Sequence, residues 1–422
     1  MGNSKMNKIL WISNKIFSGD KCKETASWLQ PLAKALEDSK KVHIVNVSTG
    51  DVKEPQAITI NGIKQWIIPN YKTSHFGHQA SPALCKCVAD IINSENPDLV
   101  HIWGTEKCWV SIYRQGYIQQ KTLLDIQGLL FVIEKFYYGG LTFSERLKCI
   151  HAKEILMPWR TIANKKRIFK ERGRWEQLDL RSVKYISYQS EWVKHHIQYL
   201  NNSATYFPTK IMLRDEFYKS EQWTFKSVGN SPVIFSFCSY ANTYKGMHVV
   251  IKIAHALKIK YPNVRFRLAG NLKIGKILLD GYSIFLMRLI KQYGLQDNIE
   301  FLGPLSASEL VQELRNANAC IISSFIETYC LAFAESMMVG CPTICSSAGA
   351  MPELADHEEE ALFYTSLDHV QAAALVDRVL QDRDLAERIS RNGRQRRLRE
   401  NDKQEVIDTQ LHIYKSILEH DN

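Results

Sequence analysis

Apolar residues recur along the chain as short solid runs, separated by longer stretches of helical period. KILWIS (8–13), VHIVNVS (42–48), DLVHIW (98–103), TLLDI (122–126) and VKYIS (183–187) read as buried strands. Helical patterns stand between them. Over 80–95, Leu84, Cys87, Val88, Ile91 and Ile92 fall on one face. Asn61-Gly62, between the alternating runs of ITINGIKQWII (58–68), predicts a hairpin. Strand alternating with helix predicts a doubly wound parallel sheet. Residues 128–182 are long, aromatic and basic, and predict helices and loops on one edge of that domain.

The pattern weakens over 206–231 and breaks at the turn-rich SVGNSP (227–232). It then restarts with VIFSFCS (233–239), VRFRLAG (264–270), NIEFLG (298–303), CIIS (320–323) and PTICS (342–346). Met247, Val250, Ile251, Ala254 and Leu257 make one helix face in this half. Ile407, Leu411, Tyr414 and Leu418 make another near the end. The expected organisation is a first Rossmann-like domain over 1–205, a linker over 206–231 and a second such domain over 232–400. A final helix, 401–422, is expected to pack back on the first domain. In open α/β sheets ligands bind beyond the carboxyl ends of the strands, so two facing sheets predict a cleft.

The length of 422 residues suits two cores, and 45% hydrophobic residues exclude a disordered chain. Of ten cysteines only Cys85 and Cys87 stand close, and no second pair completes a zinc site. Their apolar settings predict a reducing compartment. No signal peptide or run long enough to span a membrane is legible, so a cytoplasmic protein is expected, at most peripheral on the inner membrane face. The net charge of +10 favours anionic partners. WRTIANKKRIFKERGRW (159–175) concentrates basic residues against Glu171 alone, interleaved with Trp159, Phe169 and Trp175. A solvated basic helix is the plain reading; contact with an anionic membrane face is the sharper one. No nucleic-acid module accompanies it, and no nucleic-acid partner is expected.

The densest chemistry lies in SSFIETYCLAFAESMMVGCPTICSSAGAMPEL (323–354). Glu327 follows a strand, where the chain turns into a helix expected to start near Thr328. The amides of Thr328, Tyr329, Cys330 and Leu331 would be free donors there, suited to phosphate. Glu335 falls two turns into an apolar helix and needs a partner, which a diol supplies. Two glutamates eight apart also arise by chance, with a purely structural role.

The ensemble Ser324, Glu327, Glu335, Gly340-Cys341-Pro342, Gly349-Ala350 and Pro352-Glu353 resembles the donor-binding segment of family 4 glycosyltransferases, retaining enzymes of GT-B fold. The resemblance implies two Rossmann-like domains facing across a cleft and a nucleoside-diphosphate sugar as donor. It implies no bound metal or other cofactor, and transfer with retention to a glycan or lipid-linked acceptor in cell-surface polysaccharide synthesis. Lys245, in YKG, matches the family's pyrophosphate-contacting lysine. Glu327 and Lys245 become the expected catalytic pair, and Glu335 the ribose ligand. Gly270 and Gly303 end strands where the family brings backbone close to the nucleotide. The acceptor side falls to Glu106, His101, Gln127 and Gly19. His101, between apolar neighbours, also reads as a buried core histidine. The sequence departs from the family in two places. Ser239 and Tyr240 stand where an arginine is usual, with Arg214 a possible substitute or a surface residue. Gln127 stands where a histidine is usual, and cannot act as a base. A catalytically silent binding subunit, and a phosphorylase or epimerase of the same fold, are the alternatives.

Overall fold

Runs apolar on both faces become central parallel strands because helices cover them from either side. The computed structural model describes residues 6–17, 28–229, 231–240, 242–271 and 280–419. Its first eight-stranded sheet is built from β1 (Asn7–Ile12), β2 (Val42–Gly50), the hairpin β3 (Gln56–Ile60) and β4 (Ile63–Pro69), β7 (Leu99–Trp103), β8 (Thr122–Asp125), β9 (Tyr185–Tyr188) and β10 (Thr205–Pro208). The order is β10-β9-β8-β7-β1-β2-β4-β3, with only β3 antiparallel to its neighbour. β5 (Thr73–Ser74) and β6 (Gln79–Ala80) form a separate small ribbon. The second sheet runs β13-β12-β11-β14-β15-β16 and is parallel throughout. Its strands are β11 (Val233–Tyr240), β12 (Arg265–Asn271), β13 (Ile299–Gly303), β14 (Ala319–Ile322), β15 (Thr343–Ser346) and β16 (Leu362–Tyr364). In each sheet the order reverses beside the first strand, between β1 and β7 and between β11 and β14. Crevices open at such points.

The stretch read as a linker from 206 begins inside β10, which pairs in parallel with β9. It continues as ordered chain because Ile211, Met212, Leu213, Phe217 and Trp223 are all buried. Trp223 donates to Val339 O and Ala317 O, fastening the segment to the second domain. The last helix, Lys403–Glu419, lies against the first domain. Its Tyr414 hydroxyl accepts from Trp11 Nε1 at 3.0 Å and bonds His101 Nδ1 at 2.8 Å, and Lys121 Nζ donates to Ile417 O and Leu418 O. His101 is therefore a core residue on β7 and not a cleft residue. Burial drives its pKa well below the usual range, so the ring is neutral and takes the tyrosine proton at Nδ1.

The basic segment 159–175 is divided by the fold. The helix Ile162–Ser182 buries Gly173, Glu176 and Asp179, and a Cβ at Gly173 would stand 2.6 Å from Phe131 Cα. Lys165 and Lys166 are paired with Asp280 and Glu134. This helix is a wall of the cleft rather than a uniform basic face. No helix among the described residues is long and apolar enough to cross a membrane.

The chain between β8 and that helix crosses to the second domain. Tyr137 O accepts from Thr243 Oγ1, and Gly139 O bonds His248 Nε2 at 2.9 Å. Lys252 pairs with Glu145 at 2.7 Å, and Gly281 N donates to Glu154 at 2.8 Å. From the other side, Glu353 accepts from the amides of Glu191 and Trp192 at 2.8 and 2.7 Å, capping the helix Glu191–Gln198 across the domain boundary.

Tyr414→Phe leaves Trp11 Nε1 without an acceptor and His101 without its donor. The expected loss is roughly 1–3 kcal/mol, the cost of stranding a buried polar group, read as a lower urea midpoint. An unchanged midpoint would show that these bonds add nothing to the first domain.

Candidate functional site

Lys245 is held by a turn that only glycine completes. β11 ends, the chain makes one 3-10 turn over Thr243–Lys245, and Gly246 follows with φ +73°. A Cβ at Gly246 would lie 2.0 Å from Ser323 O. Ser323 Oγ donates to Lys245 O at 3.0 Å, and Phe325 N donates to Tyr244 O at 2.7 Å. The lysine turn and the chain leaving β14 are thus one unit at the crevice between β11 and β14. Glu327 lies in that chain, its Oε1 2.6 Å from Lys245 Nζ. Gly349 secures it from behind: a Cβ there would stand 2.2 Å from Glu327 O, which also accepts from Ala350 N. Burial opposes charge on Lys245, but the Glu327 carboxylate outweighs it and raises the pKa.

The helix after Glu327 begins later than the sequence predicts. It spans Leu331–Val339, and Cys330 at its N-cap has φ +78°, an uncommon backbone for a side-chain-bearing residue. Cys330 O accepts from Phe333 and Ala334, so the amides of Leu331 and Ala332 precede the intrahelical bonds. The free donors therefore sit at Leu331 and Ala332, while Thr328 and Tyr329 belong to a loop. Glu335 is buried one turn further and does not line the cavity wall. Arg214 donates to its Oε1 through Nε and Nη2, at 3.1 and 2.7 Å. Burial raises the Glu335 pKa against that guanidinium. Arg214 is accordingly an internal residue of the second domain, not a surface one.

A cavity of about 190 Å³ lies beside this helix, lined by Lys245, Glu327, Thr328, Tyr329, Cys330, Leu331, Gln127 and Gln189 among others. A second, about 290 Å³, lies on the other side of the ion pair, lined by Glu106, Arg172, Phe169, Trp192, Tyr244, Leu130 and Ile133. Gln127, Lys245, Glu327 and Thr328 line both. Thr328 Oγ1 donates to Gln127 O at 2.7 Å, joining the two domains at this junction. Gln127 and Gln189 both donate to buried Asp125 Oδ1, at 2.6 and 2.7 Å, and Ser187 donates to its Oδ2. Burial lifts Asp125 to about 7 despite those donors.

Glu106 follows β7 at the crevice of the first sheet. Its carboxyl sits over two glycines; a Cβ would lie 2.1 Å from Oε2 at Gly104 and 3.0 Å from Oε1 at Gly128. Oε2 is buried without a partner, and burial lifts the carboxyl to about 7. Arg172 donates to Glu106 O. Behind them, burial lifts Glu176 to about 8. The Thr105 hydroxyl contacts both Gly128 O and Glu176 Oε1 but has one proton. A protonated Glu176 closes the second contact.

Gly270 and Gly303 do not line either cavity. Gly270 has φ +126° and packs on Cys238 O, where a Cβ would be 1.8 Å away. Gly303 is a turn glycine with open space around it. Gly19 lies outside the described residues. Tyr240 is 59% exposed and Ser239 lines the first cavity, so no arginine occupies the place where the family pattern has one. The sequence reading missed Asp125, Gln189, Arg172 and Tyr244. Gln189 follows a predicted strand end, which is a usable signal; Arg172 is masked by the surrounding basic run. Among the described residues no group of three His, Cys, Asp or Glu side chains is arranged to hold a metal ion.

Residues 220–396 match the family model of glycosyl transferases group 1. The uncharacterised glycosyltransferase YqgM of Bacillus subtilis is 28% identical over 174 residues, 41% of this chain and 46% of its own. An MMP alpha-(1->4)-mannosyltransferase of Mycolicibacterium hassiacum is 33% identical over 110 residues, 26% of this chain and 27% of its own. The chain thus spans less than half the length of these curated relatives. Sucrose-phosphate synthase from Thermosynechococcus elongatus superposes with a TM-score of 0.71 at 16% identity, covering 97% of this chain and 99% of that one. HepE of Anabaena, solved with UDP and glucose, gives 0.66 at 16% identity, covering 98% and 100%. The two-domain architecture is that of the GT-B fold.

Glu176 provides a pH test of the cleft wall. A carboxyl whose folded pKa is raised from about 4.5 to about 8 stabilises the fold fully below the lower value. That contribution is lost as pH rises through the higher one. Glu176→Gln keeps the neutral pattern throughout. Melting temperatures of variant and parent should coincide near pH 5, and the variant should melt a few degrees higher near pH 9. Parallel curves would mean that Glu176 is ionised in the folded protein.

Proposed function

On the premise that residues 220–396 form a group 1 glycosyltransferase domain within a GT-B fold, we propose that the protein is a retaining glycosyltransferase. It moves a sugar from a nucleoside diphosphate to a glycan or lipid-linked acceptor of the kind used in cell-surface polysaccharide synthesis. The observation that carries the reading is the Lys245–Glu327 pair, standing where two cavities share a wall. The donor occupies the smaller cavity and the acceptor the larger. HepE, a structural neighbour, was solved with UDP and glucose, which supports a nucleotide-sugar donor here.

When the donor is seated, its diphosphate meets Lys245 and the amides of Leu331 and Ala332, which stabilise the charge that develops on the leaving group. Glu327 exchanges its lysine contact for the hydroxyls of the transferred sugar. Glu335 lies behind the lining of that cavity with Oε1 held by Arg214, so the ribose must extend past Leu331 to meet its Oε2. Asp125 fixes the amide ends of Gln127 and Gln189, which directs their carbonyl ends elsewhere in the cavity. Glu106, its carboxyl lifted by burial to about 7, binds an acceptor hydroxyl. Retention follows if the acceptor oxygen attacks the anomeric carbon from the face the diphosphate leaves. The acceptor proton then passes to the departing phosphate oxygen. The step calls on no metal, and the chemistry fits a cytoplasmic donor pool.

A panel of UDP-, GDP- and ADP-sugars, followed by nucleotide release and thermal shift, tests the reading. One nucleotide class should stabilise the protein and be released from its sugar. Stabilisation without release, even with acceptors present, would favour a silent binding subunit. Release of sugar phosphate would favour a phosphorylase.

Three substitutions assign roles. Lys245→Ala should lower turnover at least about 10²-fold, the scale of losing one charge-stabilising group, with the fold retained. Glu327→Gln should spare affinity for the nucleoside diphosphate and lower single-turnover rates, because sugar contacts count most as the bond breaks. Glu335→Gln should weaken the diphosphate itself. It should also lower stability, since it leaves buried Arg214 without its counter-charge. Normal binding and turnover in both glutamate variants would make the pair structural.

A further inference from the structure

The chain that clasps the second domain is built inside out. Over 142–160 its two acids face the protein. Thr142 and Glu145 form a capping box, and Glu145 also pairs with Lys252 at 2.7 Å. The Glu154 carboxylate is 2% exposed and accepts from Gly281 N. Cys149 O packs where a Cβ on Gly281 would reach 1.6 Å, and Arg288 donates to Lys148 O. The large apolar side chains face water instead: Phe143 is 69% exposed, Leu147 52%, Ile155 73%, Leu156 79% and Trp159 62%. Phe143 and Leu147 stand four apart on one helix, hence on one face. Single exposed apolar residues need no explanation, but a cluster on an anchored segment marks a surface that meets something.

We propose that this segment docks the protein on the acidic face of a lipid bilayer, with these side chains entering the headgroup region. Charge selects this occupant. Lys148 and Arg160 stand in the segment, Lys135, Arg167 and Lys170 on the helices that precede and follow it, and none makes an ion pair among the described residues. The acids of the segment, Glu145 and Glu154, are turned inward. Apolar side chains including tryptophan, with unpaired cations in the segment and on the helices next to it, match the boundary between acyl chains and anionic headgroups. A second copy of this chain would bring the same positive charge and be repelled. The position adds a consequence that rests on the transfer reading. Tyr137, at the root of the segment, packs on Phe169 and Tyr244, which line the larger cavity. Docking would therefore bring the acceptor cavity to a lipid-held acceptor.

The test is co-sedimentation of the full chain with vesicles. The probes are phosphatidylcholine alone and phosphatidylcholine mixed with phosphatidylglycerol. Binding is expected to the mixed vesicles only, and to weaken as salt rises from about 0.05 to about 0.5 M. Leu156→Ser combined with Trp159→Ser should weaken it at least tenfold. Ile259→Ser, at an 82% exposed site on the second domain, should leave it unchanged. Absence of binding, equal binding to neutral vesicles, or an unaffected double variant would overturn the proposal. So would a dimer in sedimentation velocity that the double variant converts to monomer. Nucleotide thermal shift on the same samples separates the two ideas. A shift without vesicle binding removes the docking surface and keeps the donor site. Vesicle binding without a shift does the reverse.

Discussion

A lysine ammonium and a glutamate carboxylate 2.6 Å apart at the bottom of an interdomain crevice set the terms for everything around them. Neither charge is cheap to hold away from bulk water, and each makes the other tolerable. The pair therefore needs a frame that keeps both partners in register. Two glycines provide it. Gly246 lets the lysine turn touch Ser323 O, and Gly349 lets a second turn touch Glu327 O. Any side chain at either place would push the partners apart. The small-residue character of this part of the sequence follows from that contact, not from flexibility. The same constraint accounts for the strained Cys330, which swings the chain from the loop holding Glu327 into the helix holding Glu335.

Much of this was legible in advance, and the reasons divide cleanly. Parallel strands buried on both faces are solid apolar runs, so the central strands of both sheets could be read directly. Glu327 could be placed because strand ends in such sheets are ligand-facing by topology, and Lys245 because YKG resembles the family's Lys-Gly turn. What could not be read were partnerships between distant residues. Arg214 lies in a stretch without period, and only the folded chain shows it beside Glu335. Asp125 looked like the end of a strand, yet it organises two glutamines from different loops. The last helix shows the limit of periodicity itself. Ile407, Leu411, Tyr414 and Leu418 are its most apolar stripe, but Val406, Gln410, Ile413, Tyr414 and Ile417 are the residues buried. The buried residues form one stripe, rotated by about one position from the most apolar one so that Tyr414 belongs to both, and polar Gln410 is carried in with it.

The basic run around 159–175 teaches a related lesson. Composition treats its residues as equivalent, but the helix period distributes them. Lys165 pairs with Asp280 of the second domain, Lys166 with Glu134 of the first, Arg172 turns toward the larger cavity, and others remain in water. The apolar side chains that meet solvent lie just upstream, where no charge count would have drawn attention. A strap whose acids bind inward and whose apolar groups point outward inverts the usual pattern of an amphipathic segment, and only coordinates reveal the inversion.

The path of the last helix bears on how such a molecule can be recombined. The two sheets look like separable halves joined near residue 206, and a cut there invites exchange of one half for that of a relative. Tyr414 forbids it. Its hydroxyl completes the interior of the first domain, against Trp11 and His101, although it arrives at the far end of the polypeptide. A chimera that replaces the first domain must also replace residues 403–419, or the incoming core is closed by a helix shaped for another. The first domain's core is thus encoded discontinuously, and crossovers that preserve it need two breakpoints rather than one.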